Sequence, residues 1–381
     1  MSTKWPNVRL GEVLTERKEV PSPNDLMLGR IKILEKIAFD TGRIHLRTER
    51  ETKTGMIQIR PGELVVSGIN AAKGAIAAYA ADNTEPVAAT IHYGSYIPKQ
   101  ERVMVEYLWW LLRSRFFQDL LLEYVPGGIK TELKAKRFLP IPVPLPSLAE
   151  QRRIVARIEE LAAQINEARI LRQQGTEEIE AFIIAIHVSL AGSRSRKLGD
   201  ILQLEEDQVP VSLEQDYPQA GLKGFGGGLF SKTAVSGTQT TYRTFNRLFD
   251  GALILSQVKG WEGAVAVCDS SFSGQFVSPE YRTFRCNSKE LLPDYLAVVV
   301  STEWFWSQLR HATRGVGARR ERTRPEQFLA LEMPIPDVRQ QPKGVRIFRE
   351  LRALKRLQAE TASELDALLP SILDKAFKGG L

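Results

Sequence analysis

The chain has 381 residues, too many for one typical domain, and this sets two domains with separate cores as the expectation. Hydrophobic residues make up 43% and charged residues 25%, a globular balance that argues against disorder. The net charge of +7 suits an anionic partner, though a solvated surface alone can carry such an excess. Two cysteines, Cys268 and Cys286, are too few for a metal cluster of their own and point to a reducing compartment. Residues Met1 to Pro6 hold no apolar signal-peptide core, and no apolar run approaches the roughly 18 residues of a membrane span. A soluble, cytoplasmic protein is expected.

Residues 1–140 carry short β-like runs, among them Glu63 to Val66 and Gly74 to Tyr79, broken by Gly, Pro, Asn and Asp. Glu106 to Leu121 reads as a helix with Tyr107, Leu111, Phe116 and Leu120 on its apolar faces. Pro140, Pro142, Pro144 and Pro146 then alternate, which forbids helix and fixes an extended approach. Ser147 to Glu150 forms a capping box, in which the Ser147 hydroxyl takes an amide of the first turn and Glu150 reaches back. About 40 helical residues follow, with Ile154, Ile158, Leu161, Ile165 and Ala168 at coiled-coil spacing. Gly175 should interrupt this helix before Ile179, Phe182, Ile183 and Ile186 resume the stripe. Gly192 and the Ser-Arg-Ser-Arg run after it mark its end and a linker.

The second half repeats this plan about 190 residues later. Arg9 to Leu14 returns as Lys197 to Leu202, Pro61 to Ser67 as Asp250 to Ser256, and Gly74 to Ala77 as Gly263 to Ala266. Glu106 to Leu108 returns as Asp294 to Leu296, and Pro144 to Pro146 as Pro334 to Pro336. Asp337 to Gln340 stands where the capping box was, and Pro342 falls in the first helical turn, where proline is tolerated. Phe348, Leu351, Leu354 and Leu357 form one stripe, and Leu365, Leu368, Ile372 and Phe377 another. Pro370 should kink or break the second helix. Forty helical residues rise about 60 Å, and such a helix needs a partner for its apolar stripe. The economical partner is the other half's helix; the alternative is a fold-back at Gly175 or near Thr361.

A basic segment precedes each proline run. Arg310 to Arg324 sets six arginines against one acid and contains two glycines. Pro126 to Arg137 is its counterpart, with Lys130, Lys134, Lys136 and Arg137. Guanidinium forks suit phosphate oxygens and guanine edges, and glycines let the backbone approach closely. A charge run is commonly only a solvated face, but recurrence at the matching place in both halves favours nucleic-acid binding. The residues expected to bind DNA are Lys73, Lys130, Lys134, Lys136, Arg137, Lys223, Lys259, Trp261, Arg314, Arg319, Arg320, Arg322 and Arg324. Lys73, Lys259 and Trp261 sit in matched loops, where core or turn roles are the competing reading.

Gly221 to Gly228 resembles a phosphate cradle but lacks the closing Gly-Lys-Ser/Thr of a P-loop, so a loop reaching a groove, or an ordinary turn, is the better account. No catalytic constellation is legible. His45, His92, His187 and His311 are scattered without metal-ligand spacing, and His187 lies in a helical stripe. The Asn/Asp-Pro-Pro-Tyr/Trp tetrapeptide of amino-methyltransferases is missing, and no cofactor or metal is expected.

Ile141 to Leu161 closely resembles the central spacer motif of the DNA specificity subunits of Type I restriction–modification enzymes. Leu368 to Gly379 resembles that family's usual C-terminus, and Phe230 to Ser256 and Ser278 to Phe284 resemble its target-recognition domains. The resemblance implies a mixed α/β fold with a pseudo-twofold repeat: two target-recognition domains separated by two long antiparallel helices forming a coiled coil. On that reading 1–143 and 193–333 are the recognition domains, and 144–192 and 334–381 are the spacer helices. Ile154, Ile158, Leu161, Ile165, Phe348, Leu351 and Leu354 are then the partner and helix interface. The implied partners are double-stranded DNA, two methyltransferase subunits and, through them, restriction subunits, with the chain itself non-catalytic. The entry of the second helix departs from the motif at Pro342 and Gly344, which weakens it as a docking surface. The alternatives are a recognition module of another defence or modification complex, or a nuclease or methyltransferase with an unfamiliar site.

Overall fold

The computed structural model describes residues 5–47, 54–80, 83, 85–124, 132–311, 313–314 and 322–380. Its main helices are α1 (Val105–Arg113), α2 (Arg115–Tyr124), α3 (Leu148–Ala191), α4 (Pro293–Val299), α5 (Glu303–His311), α6 (Gln341–Glu360) and α7 (Ala362–Phe377). The chain divides into two compact units. Unit 1 is Met1–Ile170 with Thr361–Leu381, and unit 2 is Leu171–Glu360. Both ends of the chain therefore belong to unit 1. Among the described residues, no helix is long and apolar enough to cross a membrane.

Unit 1 is built on an antiparallel sheet of β1 (Leu14–Glu16), β2 (Leu64–Ser67), β3 (Ile76–Ala78) and β4 (Tyr93–Pro98), in the spatial order β1-β4-β2-β3. Leu64 is the pivot, opposite Tyr96 on one side and Ala78 on the other. One face packs against α1, α2 and the start of α3, burying Tyr96, Tyr107, Phe117, Phe138, Ile154 and Ile158. Leu373, Ala376 and Phe377 of α7 complete this core. The other face packs Val65 and Ala77 against Leu34, Ile37, Ile59 and Val87 of a second, mixed sheet.

Unit 2 repeats the first sheet strand for strand. β5 (Leu202–Leu204), β6 (Leu253–Ser256), β7 (Val265–Val267) and β8 (Tyr281–Cys286) lie in the order β5-β8-β6-β7, with Leu253 opposite Phe284 and Val267. Its helical face buries Tyr295, Phe305, Phe328 and Phe348, together with Ile179 and Ile183 from the second half of α3. The second sheet differs. Where unit 1 has four strands including one parallel pair, unit 2 has three antiparallel strands, a short hairpin and a two-stranded pair that brackets it. Divergence is thus concentrated in one layer of the module.

The repeat extends to single hydrogen bonds. Fully buried Gln151 donates from Nε2 to the carbonyls of Arg102 (3.0 Å) and Pro146 (2.9 Å) and accepts the amide of Met104 (2.9 Å). Gln341, also fully buried, does the same with Glu290 (2.8 Å), Pro336 (3.0 Å) and Leu292 (2.8 Å). Ser114 and Thr302 each place a hydroxyl under the start of the next helix, accepting the amides of Phe117 and Phe305. Ser114, with ψ of 155°, divides the helix expected over Glu106 to Leu121 into α1 and α2.

Three local expectations are corrected. Gly175 does not interrupt α3, which runs unbroken for 44 residues; the glycine packs beside Gln358, and a Cβ there would lie 3.2 Å from Nε2. The second helix breaks at Thr361, while Pro370 lies within α7. Gly344 is close packing rather than erosion, since a Cβ there would stand 2.8 Å from the ring of Tyr295. At the helix entries, the Ser147 hydroxyl accepts the amide of Glu150 (3.4 Å), as expected. Asp337 instead accepts the amide of Arg339 (2.9 Å) and forms a turn ahead of α6, which starts at Gln341.

Part of each helical stripe is buried within its own unit. In unit 1 Ile154 and Ile158 are fully buried, Ile165 is buried and Leu161 half-buried. Arg169 pairs with Asp366 of α7 at 2.9 Å. In unit 2 Phe348 is fully buried and Leu351 packs beside it, and Lys355 of α6 pairs with Glu180 of α3. Leu354, expected in the same interface, is instead 47% exposed. Of the seven interface candidates, Ile154 and Ile158 thus lie in the core of unit 1, and Phe348 and Leu351 in that of unit 2.

His187 occupies the place against Tyr295 that Phe377 takes against Tyr107 in unit 1. Its Nδ1 shares a 2.7 Å hydrogen bond with the Tyr295 hydroxyl, and burial pushes its pKa down to about 4. Between that value and the ordinary histidine value of about 6.5, the unfolded chain binds a proton that the folded unit refuses. Unit 2 is therefore expected to lose about 2–4 kcal/mol as pH falls through this window, and to keep that stability above it. Urea unfolding of wild type and His187→Phe at pH 7 and pH 4.5 checks this. An equal acid loss in both would refute it.

Candidate nucleic-acid interface

The turn that follows β2 is shaped by its sequence. The Ser67 hydroxyl accepts the amide of Asn70 (3.2 Å), a single 3-10 turn spans Ala71–Lys73, and Gly74 closes it at φ of 91°. Lys73 projects from this turn, exposed. Unit 2 builds the same turn. The Ser256 hydroxyl accepts the amide of Lys259 (3.3 Å), Gly260–Glu262 makes the 3-10 turn and Gly263 closes it at φ of 76°. Lys259 is exposed and lies 3.6 Å from Glu262. Trp261 is half-buried, and its indole N–H is buried without a hydrogen-bond partner. Its one polar atom is therefore turned away from solvent.

Each turn is joined by a residue within its basic segment. The amide of Leu133 donates to Gly68 (2.8 Å), and the amide of Thr323 donates to Gln257 (2.9 Å). This sets Lys134 beside the Lys73 turn and Arg322 beside the Lys259 turn. Lys134 and Arg324 are exposed and hold equivalent positions as the N-caps of short helices Ala135–Phe138 and Pro325–Leu329. Lys136 and Arg137 are exposed on the first of these helices. Lys130, Arg319 and Arg320 lie outside the described residues, and Arg314 falls in the two-residue strand Thr313–Arg314.

The glycine-rich run resolves into a hairpin. Strands Ala220–Lys223 and Gly228–Ser231 pair antiparallel, and the amides of Phe225 (2.6 Å) and Gly226 (3.3 Å) donate to Glu262 and Gly263 of the adjoining turn. Lys223 is exposed, with its ammonium 5.3 Å from the Phe230 ring. Unit 2 thus gathers Lys223, Lys259 and Arg322 around one turn, as unit 1 gathers Lys73 and Lys134.

Two exposed aromatics escaped the sequence reading. Phe225 at the hairpin tip is 77% exposed at φ of 54°, and Phe39 in the turn beside Gly74 is 49% exposed. Each neighbours a left-handed glycine set tightly against a tryptophan: Gly42 on Trp109 and Gly226 on Trp306. The available signal was a phenylalanine within a glycine-rich stretch, Phe225 between Gly224 and Gly226. Among the described residues no group of His, Cys, Asp or Glu side chains is arranged to hold a metal ion.

This architecture has known counterparts. Residues 4–173 match the family model described as the Type I restriction modification DNA specificity domain. One similar solved structure comes from work on complex assembly and conformational transition of the type I R-M system, at 19% identity and TM-score 0.71, covering 100% of both chains. A second is the HsdS subunit from Thermoanaerobacter tengcongensis, at 22% identity and TM-score 0.56, covering 99% of this chain and 97% of that one. No curated protein matches the chain.

Proposed function

We propose that each unit reads one half of a bipartite DNA site, within a Type I complex that contains two methyltransferase subunits and, through them, restriction subunits. The chain is the DNA-recognition component of such a complex, and adenine methylation and cleavage belong to its partners. Residues 1–143 and 193–333 serve as recognition domains, and 144–192 and 334–381 as spacer helices. The observation that carries this reading is the confinement of difference. The first sheet and the buried glutamines repeat bond for bond, while the second sheet is rebuilt. Two copies that must dock alike but read different bases call for that division.

Phosphate contacts from Lys73, Lys134, Lys136, Arg137, Lys223, Lys259, Arg319, Arg320 and Arg324 supply affinity with a steep salt dependence. Base contacts from the divergent layer supply specificity. A map of methylated adenines in host DNA, with and without this gene, tests the reading, since a bipartite motif should vanish with the gene. Replacing Arg319 and Arg320 by alanine is expected to weaken binding of the complex to the motif duplex. The salt slope should fall by about 0.9 for each phosphate that is no longer neutralised. Unchanged affinity and slope would remove that segment from the interface.

A further inference from the structure

At one matched position the two basic segments carry side chains of opposite sign, Glu132 and Arg322. In unit 1 Gly68 donates its amide to His92 (2.7 Å) and accepts that of Leu133 (2.8 Å); in unit 2 Gln257 does both with Glu280 (3.1 Å) and Thr323 (2.9 Å). This shared backbone frame makes His92 equivalent to Glu280, and Glu132 equivalent to Arg322. Across the frame in unit 1, His92 Nδ1 lies 3.0 Å from Glu132 Oε1, and Lys134 Nζ lies 2.9 Å from the other carboxylate oxygen. In unit 2 Arg322 Nε lies 3.9 Å from Glu280 Oε2. The acid thus stands within the basic segment in one unit and on the opposing turn in the other.

We propose that Glu132 and Arg322 are positioning residues that tie the end of each basic segment to the turn preceding β4 or β8, and that Arg322 is not a phosphate contact. This rests on the reading of the basic segments as DNA-binding, and departs from the sequence expectation at Arg322. If the position served a phosphate in both units, the carboxylate of Glu132 would repel it. What the units share is a side-chain pairing across the same backbone frame, His92 with Glu132 in one and Glu280 with Arg322 in the other. The tight approach at Gly68 agrees, since a Cβ there would lie 2.7 Å from Glu132 Cγ.

The test uses the full chain co-expressed with its modification subunit, and a duplex carrying the methylated motif. Arg322→Glu and Glu280→Arg are each expected to weaken binding about fivefold, the scale of one partly exposed ion pair. The double variant should return to within about twofold of wild type with its salt slope unchanged. A double variant that binds more weakly than Arg322→Glu alone, with a slope lower by about 0.9, would make Arg322 a phosphate contact and overturn the proposal. Single variants that bind as wild type would overturn it as well. A wild-type complex with no preference for the motif duplex would defeat the DNA-recognition reading instead.

Discussion

Phe377→Ala is expected to destabilise unit 1 by about 3–5 kcal/mol, the usual cost of emptying a buried phenylalanine site. The ring is fully buried and meets Tyr107 edge-on, with centroids 5.6 Å apart. Tyr107 is itself held by its hydroxyl, which donates to the carbonyl of Pro144 at 2.9 Å, so it cannot swing into the void. Leu373 and Ala376 line the same site from the same helix. A chain ending at residue 360 should therefore leave unit 1 without a closed core, although the change lies more than 200 residues beyond its sheet. Hydrogen exchange at Leu64 to Ser67 reads this directly. Protection there should fall in Phe377→Ala and be largely abolished in the truncated chain, and full protection in both would contradict the assignment of α7 to this core.

Gln151→Leu should be as severe through a different cause. The leucine fills much the same space but leaves the Met104 amide and the Arg102 and Pro146 carbonyls without partners. Each buried unpaired group costs about 1–3 kcal/mol, so a loss of at least about 3 kcal/mol is expected. Gln341→Leu should do the same in unit 2, where the three partners are equivalent. Urea denaturation should show a lower midpoint at an unchanged slope for each variant. A cost below about 1 kcal/mol would mean that the backbone groups find other partners. The glutamine ties the first turn of each long helix to the proline run and to the loop entering α1 or α4. It therefore sets where the helix leaves the module.

Much of this was legible from residue order. The matched segments gave the duplicated sheet, because β2 and β6 must bury the same apolar run. The prolines gave the extended entry, because no other backbone satisfies them. The roles of Gln151 and Gln341 were not legible, although both stand at the helix entries: a polar residue one turn before Ile154 reads as surface until its three partners are known. Gly344 read as damage because its neighbour across the gap, Tyr295, lies 49 residues away in sequence. The basic segments were located by composition, but Glu132 and Glu280 drew no notice, since single acids gain meaning only from what faces them.

The membership of α7 in unit 1 also sets a schedule for synthesis. Every residue of unit 2 lies before position 361, whereas unit 1 draws Leu373, Ala376 and Phe377 from beyond it. Domains assemble as their chain emerges. Unit 2 can thus finish first, and unit 1, begun earlier, waits with an apolar cleft open until Phe377 has emerged.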